Sequence, residues 1–254
     1  MSMNTRHVYA AQGLILAAFV GTLEYLARSG TVGRITLVPP SEMGTTLVDL
    51  LVSGEITGDI WQTFSVVLGA FSLAVLVGIP VGWALWQSAE LKEILDPFII
   101  AYYAIPVFVF YPLLLVVFGF NRLPILLIAF AMGVVAVVIN TANGFEAVDQ
   151  VYLDVGRAVR LSRYQRFRHI ALPAALPYVF TGLKLGFIYS LIGVIASEFI
   201  LAGSGLGYLI SNYYTTFNTA EMYAVMLFVT IVSVTTNQTL LRIEGKLYQH
   251  RVNA

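Results

Sequence analysis

An all-α, polytopic membrane fold with about six transmembrane helices is predicted for this chain by three observations. Hydrophobic residues make up 58% of its 254 residues and charged residues 11%, a composition that suits a lipid solvent better than water. Apolar runs of about twenty residues, the length a helix needs to cross the hydrocarbon core, recur from one end to the other. The basic residues, finally, segregate to one side of the spans those runs define. One transmembrane domain over 1–254 accounts for all three.

The first span is placed at 8–27, VYAAQGLILAAFVGTLEYLA, behind Arg6. It has no small-x-small cleavage site, so it reads as a retained span rather than a removed signal peptide. Residues 28–59 are too polar to cross and form an extracytoplasmic segment. Within it, Pro39 and Pro40 favour extended backbone, Ser41 is placed to cap a helix and Gly54 to end it. Met43, Leu47, Leu50 and Leu51 share one face, so this helix is expected along the membrane surface or packed on the outer mouth. The second span is 60–87. The third, 97–119, is broken by Pro106 and Pro112, which suggests a gate or kink, since freed carbonyls are tolerated where neighbours or a cavity satisfy them. The remaining spans are 122–143, 175–200 and 219–243. Gly78 with Gly82, and Gly182 with Gly186, have the spacing that lets helices approach closely, within one subunit first and at a dimer seam second.

Six crossings put both termini on one side. With that side cytoplasmic, Arg6, Lys92, Arg157, Arg160, Arg163, Arg166, Arg168, Arg242, Lys246 and Arg251 fall inside and only Arg28, Arg34 and Arg122 outside, with Lys184 within a span. The enrichment of Lys and Arg in cytoplasmic loops favours this orientation.

A polar island runs from Gly144 to Pro177, with a cytoplasmic projection placed at 144–174. Val148, Val151, Tyr152, Val155 and Val159 follow helical spacing, with Asp149, Asp154, Arg157 and Arg160 mostly on the other sides. Ser162 and Gln165 match a capping box that starts a second short helix, carrying Tyr164 and Phe167 on one face, with Pro173 and Pro177 interrupting or limiting it before the fifth span. The arginines alone would serve equally to bind anionic headgroups. The aromatic stripe beside them favours a protein partner.

The chain has no cysteine, which excludes disulfides and thiolate chemistry. His7, His169 and His250 are scattered without metal-ligand spacing. A zero net charge gives no reason to expect a nucleic-acid partner. No GxxxxGK[ST] phosphate loop is present: Gly245 and Lys246 adjoin, but Leu240 and Leu247 break the pattern.

The spacing from Asp154 to Ile170, Leu172 and Pro173 resembles the EAA loop of ABC importer permeases, whose signature runs E-A-A, three residues, G, nine residues, I-x-L-P. PSEMGTTLVDLLVSGEI, GIPVGWALWQS, IPVFVFYPLLLVVFG, SRYQRFRHIALPAALPYVFTGLKLG and ASEFILAGSGLGYLI are similar to the nitrate, sulfonate and taurine branch, in the family order and over roughly residues 37–245. There are departures. Asp154, Val155 and Gly156 stand for E-A-A, and Arg160 stands for the glycine that permits a turn between the coupling helices. The turn is therefore expected to be rebuilt, with help from Gly156, or the first helix to run further. Val66 and Ala70 stand where the family pattern has Arg and Gly.

The resemblance implies a MetI-like fold in a prokaryotic inner membrane, and a non-enzymatic permease subunit of an ATP-driven importer for a small solute: an anion, an aromatic carboxylate or a vitamin precursor. It implies a second permease subunit, expected as a homodimer, an extracytoplasmic solute-binding protein, and two cytoplasmic ATPase subunits that supply ATP and Mg chemistry. Coupling would run through 148–170, with Asp154, Val155, Gly156, Arg157, Arg160, Ser162, Arg163, Tyr164, Arg166 and Phe167 seated in the ATPase.

Within the spans, Lys184 and Glu198 are fourteen residues and so about 21 Å apart along one helix, too far to pair. Lys184 is expected to snorkel to the cytoplasmic interface. Glu198 precedes Gly203 to Gly207 and suits either a pathway role or a hydrogen bond to that glycine loop. Gate and pathway candidates are Pro106, Tyr102, Tyr103, Asn140, Tyr189, Ser190, Ser197 and Glu198, against the plainer roles of interfacial tyrosine and intrahelical serine bond. A secondary transporter or channel is the alternative; it would need carboxylate relays or inverted repeats, of which only Glu24 and Glu198 offer a trace. A membrane enzyme would need a His, Asp or Ser cluster that the sequence lacks.

Overall fold

The computed structural model describes residues 5–252; the side chains of 5–9, 100, 103, 104, 201 and 246–252 lie outside that description, and with them Arg6, His7, Tyr103, Lys246, His250 and Arg251. Helix α1, Thr5–Arg28, leads into a loop and then α2, Pro40–Ser53. The N-cap is Pro39, with Pro40 in the first turn where no amide hydrogen is needed. Ser41 is not the cap: its amide and hydroxyl both donate to the Glu24 carboxylate, at 3.0 and 2.7 Å, which ties α2 to α1. Gly54 ends α2 in the left-handed region at φ 75°.

Helix α3, Thr57–Gln87, is followed by α4, Ala89–Ala104, capped by Ser88, whose hydroxyl accepts from the Leu91 amide at 3.1 Å. A 3-10 turn at Val107–Phe110 and α5, Tyr111–Phe118, complete the expected third span. That segment begins earlier than the hydrophobicity pattern predicts, and its break falls at Ile105 and Pro106. Pro112 does not break it; it starts α5, again in the first turn.

Next come α6, Arg122–Glu146, α7, Gln150–Ala158, and α8, Arg163–Arg166. A π-turn at Phe167–Ala171 carries α8 directly into α9, Leu172–Leu201. The second island helix is thus the start of the fifth span, an apolar helix continuous over 38 residues from Arg163 to Ile200. Pro173 fails to interrupt it because it falls just after the π-turn, where the hydrogen-bond pattern is already altered, and Pro177 lies inside α9 without ending it. Helices α10, Leu206–Thr215, and α11, Thr219–Val252, close the chain. Among the described residues five helices are long and apolar enough to cross a membrane, while the broken segment from 89 to 118 is built of shorter pieces.

Helix α6 lies at the centre, packed most extensively on α3 and α9. Close approach explains the paired glycines. A Cβ on Gly78 would stand 2.7 Å from Val137 Cβ and one on Gly182 2.8 Å from Asn140 Cβ, so both pairs serve helix packing within this chain. At one end of the bundle, Leu47 and Leu50 of α2 pack with Ile56, Leu206, Tyr213, Ala224 and Val225. The amphipathic helix therefore covers α10 and α11. At the other end, Phe145, Val148, Ala171 and Ala175 form a core, with Trp86 stacked on Phe145 at 5.1 Å and Phe145 on Phe167 at 5.9 Å.

Candidate functional site

Polar residues gather at the two ends of the bundle, and their surroundings differ. At the end bearing α7 and α8, the local sequence builds a rigid projection. Asp149 caps α7 by accepting from the Val151 amide at 2.9 Å. The helix closes in a Schellman turn: Leu161 N–H donates to Gly156 O at 2.9 Å and Arg160 N–H to Arg157 O at 3.0 Å. Arg160 itself takes the left-handed conformation, φ 56°. The turn expected of glycine is thus kept with a side chain, at a cost of about 1–2 kcal/mol. Gly156 does not rebuild it. A Cβ there would lie 2.8 Å from Ile170 Cδ1 and 3.1 Å from Arg166 Cγ, so Gly156 lets α7 lie against the start of the long helix.

Ser162 and Gln165 form the capping box, with Gln165 Oε1 accepting from Ser162 N–H at 2.8 Å and Ser162 Oγ from Gln165 N–H at 3.2 Å. Val151, Tyr152, Val155, Val159 and Tyr164 all remain 55–65% exposed. Only Val148 of the valine stripe is buried. Phe167 separates from Tyr164 and turns inward onto Phe145 and Trp83. Arg157 pairs with Asp154 at 2.8 Å, Arg163 is exposed, and Arg166 is half-buried with its stem over Gly156. Arg157, Arg163, Arg166 and Phe167 line a cleft of about 520 Å³ closed by Trp86 and Leu153.

At the opposite end, Glu198 is buried and fully engaged. Its carboxylate accepts from Thr63 Oγ1 at 2.8 Å and from the Gly207 amide at 3.0 Å. Thr63 Oγ1 accepts in turn from the Leu206 amide at 2.8 Å, and Asp59 Oδ1 from the Gly205 amide at 2.6 Å. Gly205 has φ 105°, and its Cβ position is filled by the Glu198 carboxylate. The acid thus staples the glycine loop to α3. Nearby, the buried Tyr213 hydroxyl donates to Glu55 at 3.2 Å; burial first, and then that carboxylate, push the phenol up to about 12.

Lys184 does not snorkel. Its Nζ pairs with Glu244 Oε2 of α11 at 2.7 Å, both groups largely buried, and Glu244 also accepts from Thr181 Oγ1 at 2.6 Å. The partner lies sixty residues away and carries no local signal. Of the pathway candidates, Tyr102, Pro106 and Tyr189 are brought together around a cavity of about 260 Å³. Tyr102 hydrogen-bonds the Ala131 carbonyl. Asn140 donates to Ala136 O at 2.8 Å within its own helix, and Ser190 is buried and donates to Ala129 O at 3.3 Å. Ser197 is buried, and its hydroxyl has no partner among the described residues. Val66 and Ala70 sit in the core with Tyr111, Leu115 and Ile128, so an apolar contact occupies that place.

The sequence pattern of the family described as "Binding-protein-dependent transport system inner membrane component" matches residues 44–249. The nitrate import permease protein NrtB of Synechocystis sp. is 32% identical over 173 residues, which cover 68% of this chain and 63% of that protein. The bicarbonate transport system permease protein CmpB of Synechococcus elongatus is 34% identical over 161 residues, 62% of this chain and 58% of that protein. The chain thus spans a little under two thirds of these two relatives' length. The putative aliphatic sulfonates transport permease protein SsuC of Bacillus subtilis is 26% identical over 241 residues, 94% of this chain and 87% of that protein. Among solved structures, an inward-facing form of the MetNI methionine ABC transporter superposes with a TM-score of 0.64 at 19% identity, covering 76% of this chain and 95% of that one. An amino acid ABC transporter solved with histidines gives 0.62 at 17%, covering 81% and 97%. At such identities the likeness is one of fold.

Proposed function

This chain belongs to the binding-protein-dependent transport system inner membrane components, and on that premise we propose that it is the permease subunit of an ATP-driven importer. The observation that carries the reading is the outward-turned stripe Val151, Tyr152, Val155, Val159 and Tyr164, apolar surface held rigid by two caps and flanked by arginines. Aromatic, branched and Arg side chains in one patch are what a protein partner buries. The partner is a cytoplasmic ATPase, whose cleft receives Asp154 to Tyr164. Arg163 supplies exposed charge, while Gly156, Ser162, Arg166 and Phe167 hold the projection in shape.

The helix continuous from Arg163 to Ile200 joins that projection to the Glu198 loop at the far end, so rocking of the ATPase dimer can move both ends as one body. The broken segment from 89 to 118 makes the sixth crossing, with Lys92 beside Glu146 at the inner end, and both termini lie in the cytoplasm of a prokaryotic cell. The break at Pro106, with Tyr102 and Tyr189, forms a gate along the pathway. A second copy of the chain completes the pathway, and an extracytoplasmic binding protein delivers the solute. Relatives named for nitrate, bicarbonate and aliphatic sulfonates support a small anion as that solute.

Reversing charge in Arg163→Glu/Arg166→Glu is expected to abolish transport-coupled ATPase activity while the chain still inserts. Normal coupling in that variant would overturn the docking assignment.

A further inference from the structure

Three arginines lie at the Glu198 end of the bundle, and they are not equivalent. Arg28 pairs with Glu24 at 2.5 Å and Arg34 with Glu42 at 3.0 Å. Arg122 has no carboxylate partner among the described residues. Its Nη2 donates instead to Gln62 Oε1 at 2.8 Å, and the same amide donates through Nε2 to Ser204 Oγ. Ser204 belongs to the loop whose Gly205 and Gly207 amides are held by Asp59 and Glu198. The guanidinium is therefore positioned by a relay that ends on the stapled loop, yet its charge is not cancelled.

Arg122 stands on the wall of a cavity of about 950 Å³ between α3, α5, α6 and the glycine loop. Its neighbours there include Gln62, Asn121, Ser204, Tyr111 and Leu115, and among the described residues no carboxylate lines the space. Asn121 is already committed, donating to Phe118 O at 2.6 Å and accepting from Leu123 N–H at 2.7 Å. Among the described residues Arg122 uses one donor, which leaves a planar fork that matches the paired oxygens of an oxyanion. A guanidinium without a carboxylate partner among the described residues, over a partly apolar wall and in a space large enough for a small solute, is chemically suited to one negative charge.

We propose that this cavity binds a small oxyanion through Arg122, positioned by Gln62 and Ser204. It gives the solute its first contact with the permease after release from the binding protein. The side on which the cavity opens rests on the importer reading above; binding itself does not. A free oxyanion and a lipid phosphate share this chemistry, so the test separates them.

The full chain in phosphatidylcholine nanodiscs is titrated calorimetrically with nitrate, bicarbonate and 2-aminoethanesulfonate, against chloride at matched ionic strength. Saturable binding of at least one of the three is expected. It should weaken about tenfold or more in Arg122→Gln, and by less in Arg122→Lys, which keeps the charge but loses the fork. Arg122→Lys and Gln62→Leu, read in the same way, keep the test decisive if Arg122→Gln does not fold. Saturable binding of none of the three overturns the proposal, as does equal affinity in the variants. So does an Arg122-dependent preference for phosphatidylglycerol without free-anion binding. Co-purification of the wild-type chain with its ATPase is measured separately: failure there removes the importer reading and leaves the anion site standing.

Discussion

The stretch from Asp149 to Arg168 and the stretch from Glu198 to Gly207 are both polar breaks in an apolar chain, but they use their side chains in opposite directions. In the second, each carboxylate oxygen, hydroxyl and loop amide named above finds a partner inside the protein, across α3, α9 and α10. In the first, the backbone is satisfied by caps, while the apolar stripe and Arg163 face outward. A polar segment that consumes its own hydrogen-bonding capacity is a staple. One that spends only its backbone, and leaves a shaped surface, is built for something else to cover.

The contrast can be broken from either side. The largest effect is expected at the projection. Tyr152→Ala together with Val155→Asp should reduce ATPase association by about two orders of magnitude, as loss of central interface anchors does. Thermal stability of the chain should be unchanged, because neither side chain is buried. Loss of stability would mean that the stripe covers another part of this protein.

At the staple the pattern should invert. Glu198→Ala leaves the Thr63 O–H and the Gly207 amide without their acceptor in a buried site and is expected to destabilise by about 3 kcal/mol. Gly205→Ala, with its Cβ aimed at the Glu198 carboxylate and its φ in the left-handed region, should cost at least about 2 kcal/mol. Both are read as melting temperature in detergent. Association with the ATPase should persist in whatever fraction folds.

Lys184 and Glu244 offer an intermediate case, a buried pair inside the spans. Lys184→Met alone should destabilise more than Lys184→Met/Glu244→Leu, since the single change leaves an uncompensated buried charge. Equal melting temperatures would show that water reaches the pair.

The smallest effect is expected at Arg160. Replacing it with glycine removes the left-handed penalty of about 1–2 kcal/mol but frees the unfolded chain, so a gain under about 1 kcal/mol should appear on melting. A fall in stability would show that the Arg160 side chain holds the turn.

Much of this architecture is legible in the sequence. Long apolar runs mark the five helices that are long enough to cross a membrane among the described residues, the Ser162 and Gln165 spacing marks a cap, and Gly54 marks a helix end, because each signal is local. What could not be read depended on distant partners. Lys184 looked like a snorkelling lysine because Glu244 is far away in sequence, and Ser41 looked like a cap because Glu24 was not known to lie beside it. Phe167 looked like a partner of Tyr164, and only the meeting of Trp86, Phe145 and the long helix turned it inward. The prolines at 173 and 177 read as breaks, but the helix runs through both, Pro173 in the first turn of α9 just after the π-turn and Pro177 inside α9. Periodicity identified the island's valine stripe, but could not say that most of it would stay uncovered.

That uncovered stripe is the central claim, and the absence of cysteine makes it directly measurable. Val155→Cys and, at the other end, Phe120→Cys are each the sole thiol in the chain and both sites are exposed. Maleimide labelling is followed in nanodiscs with and without the ATPase subunit. Val155→Cys should label readily in the chain alone and be protected when the ATPase is bound, while Phe120→Cys labels equally in both. Unchanged labelling at Val155 in the stable complex would contradict the account.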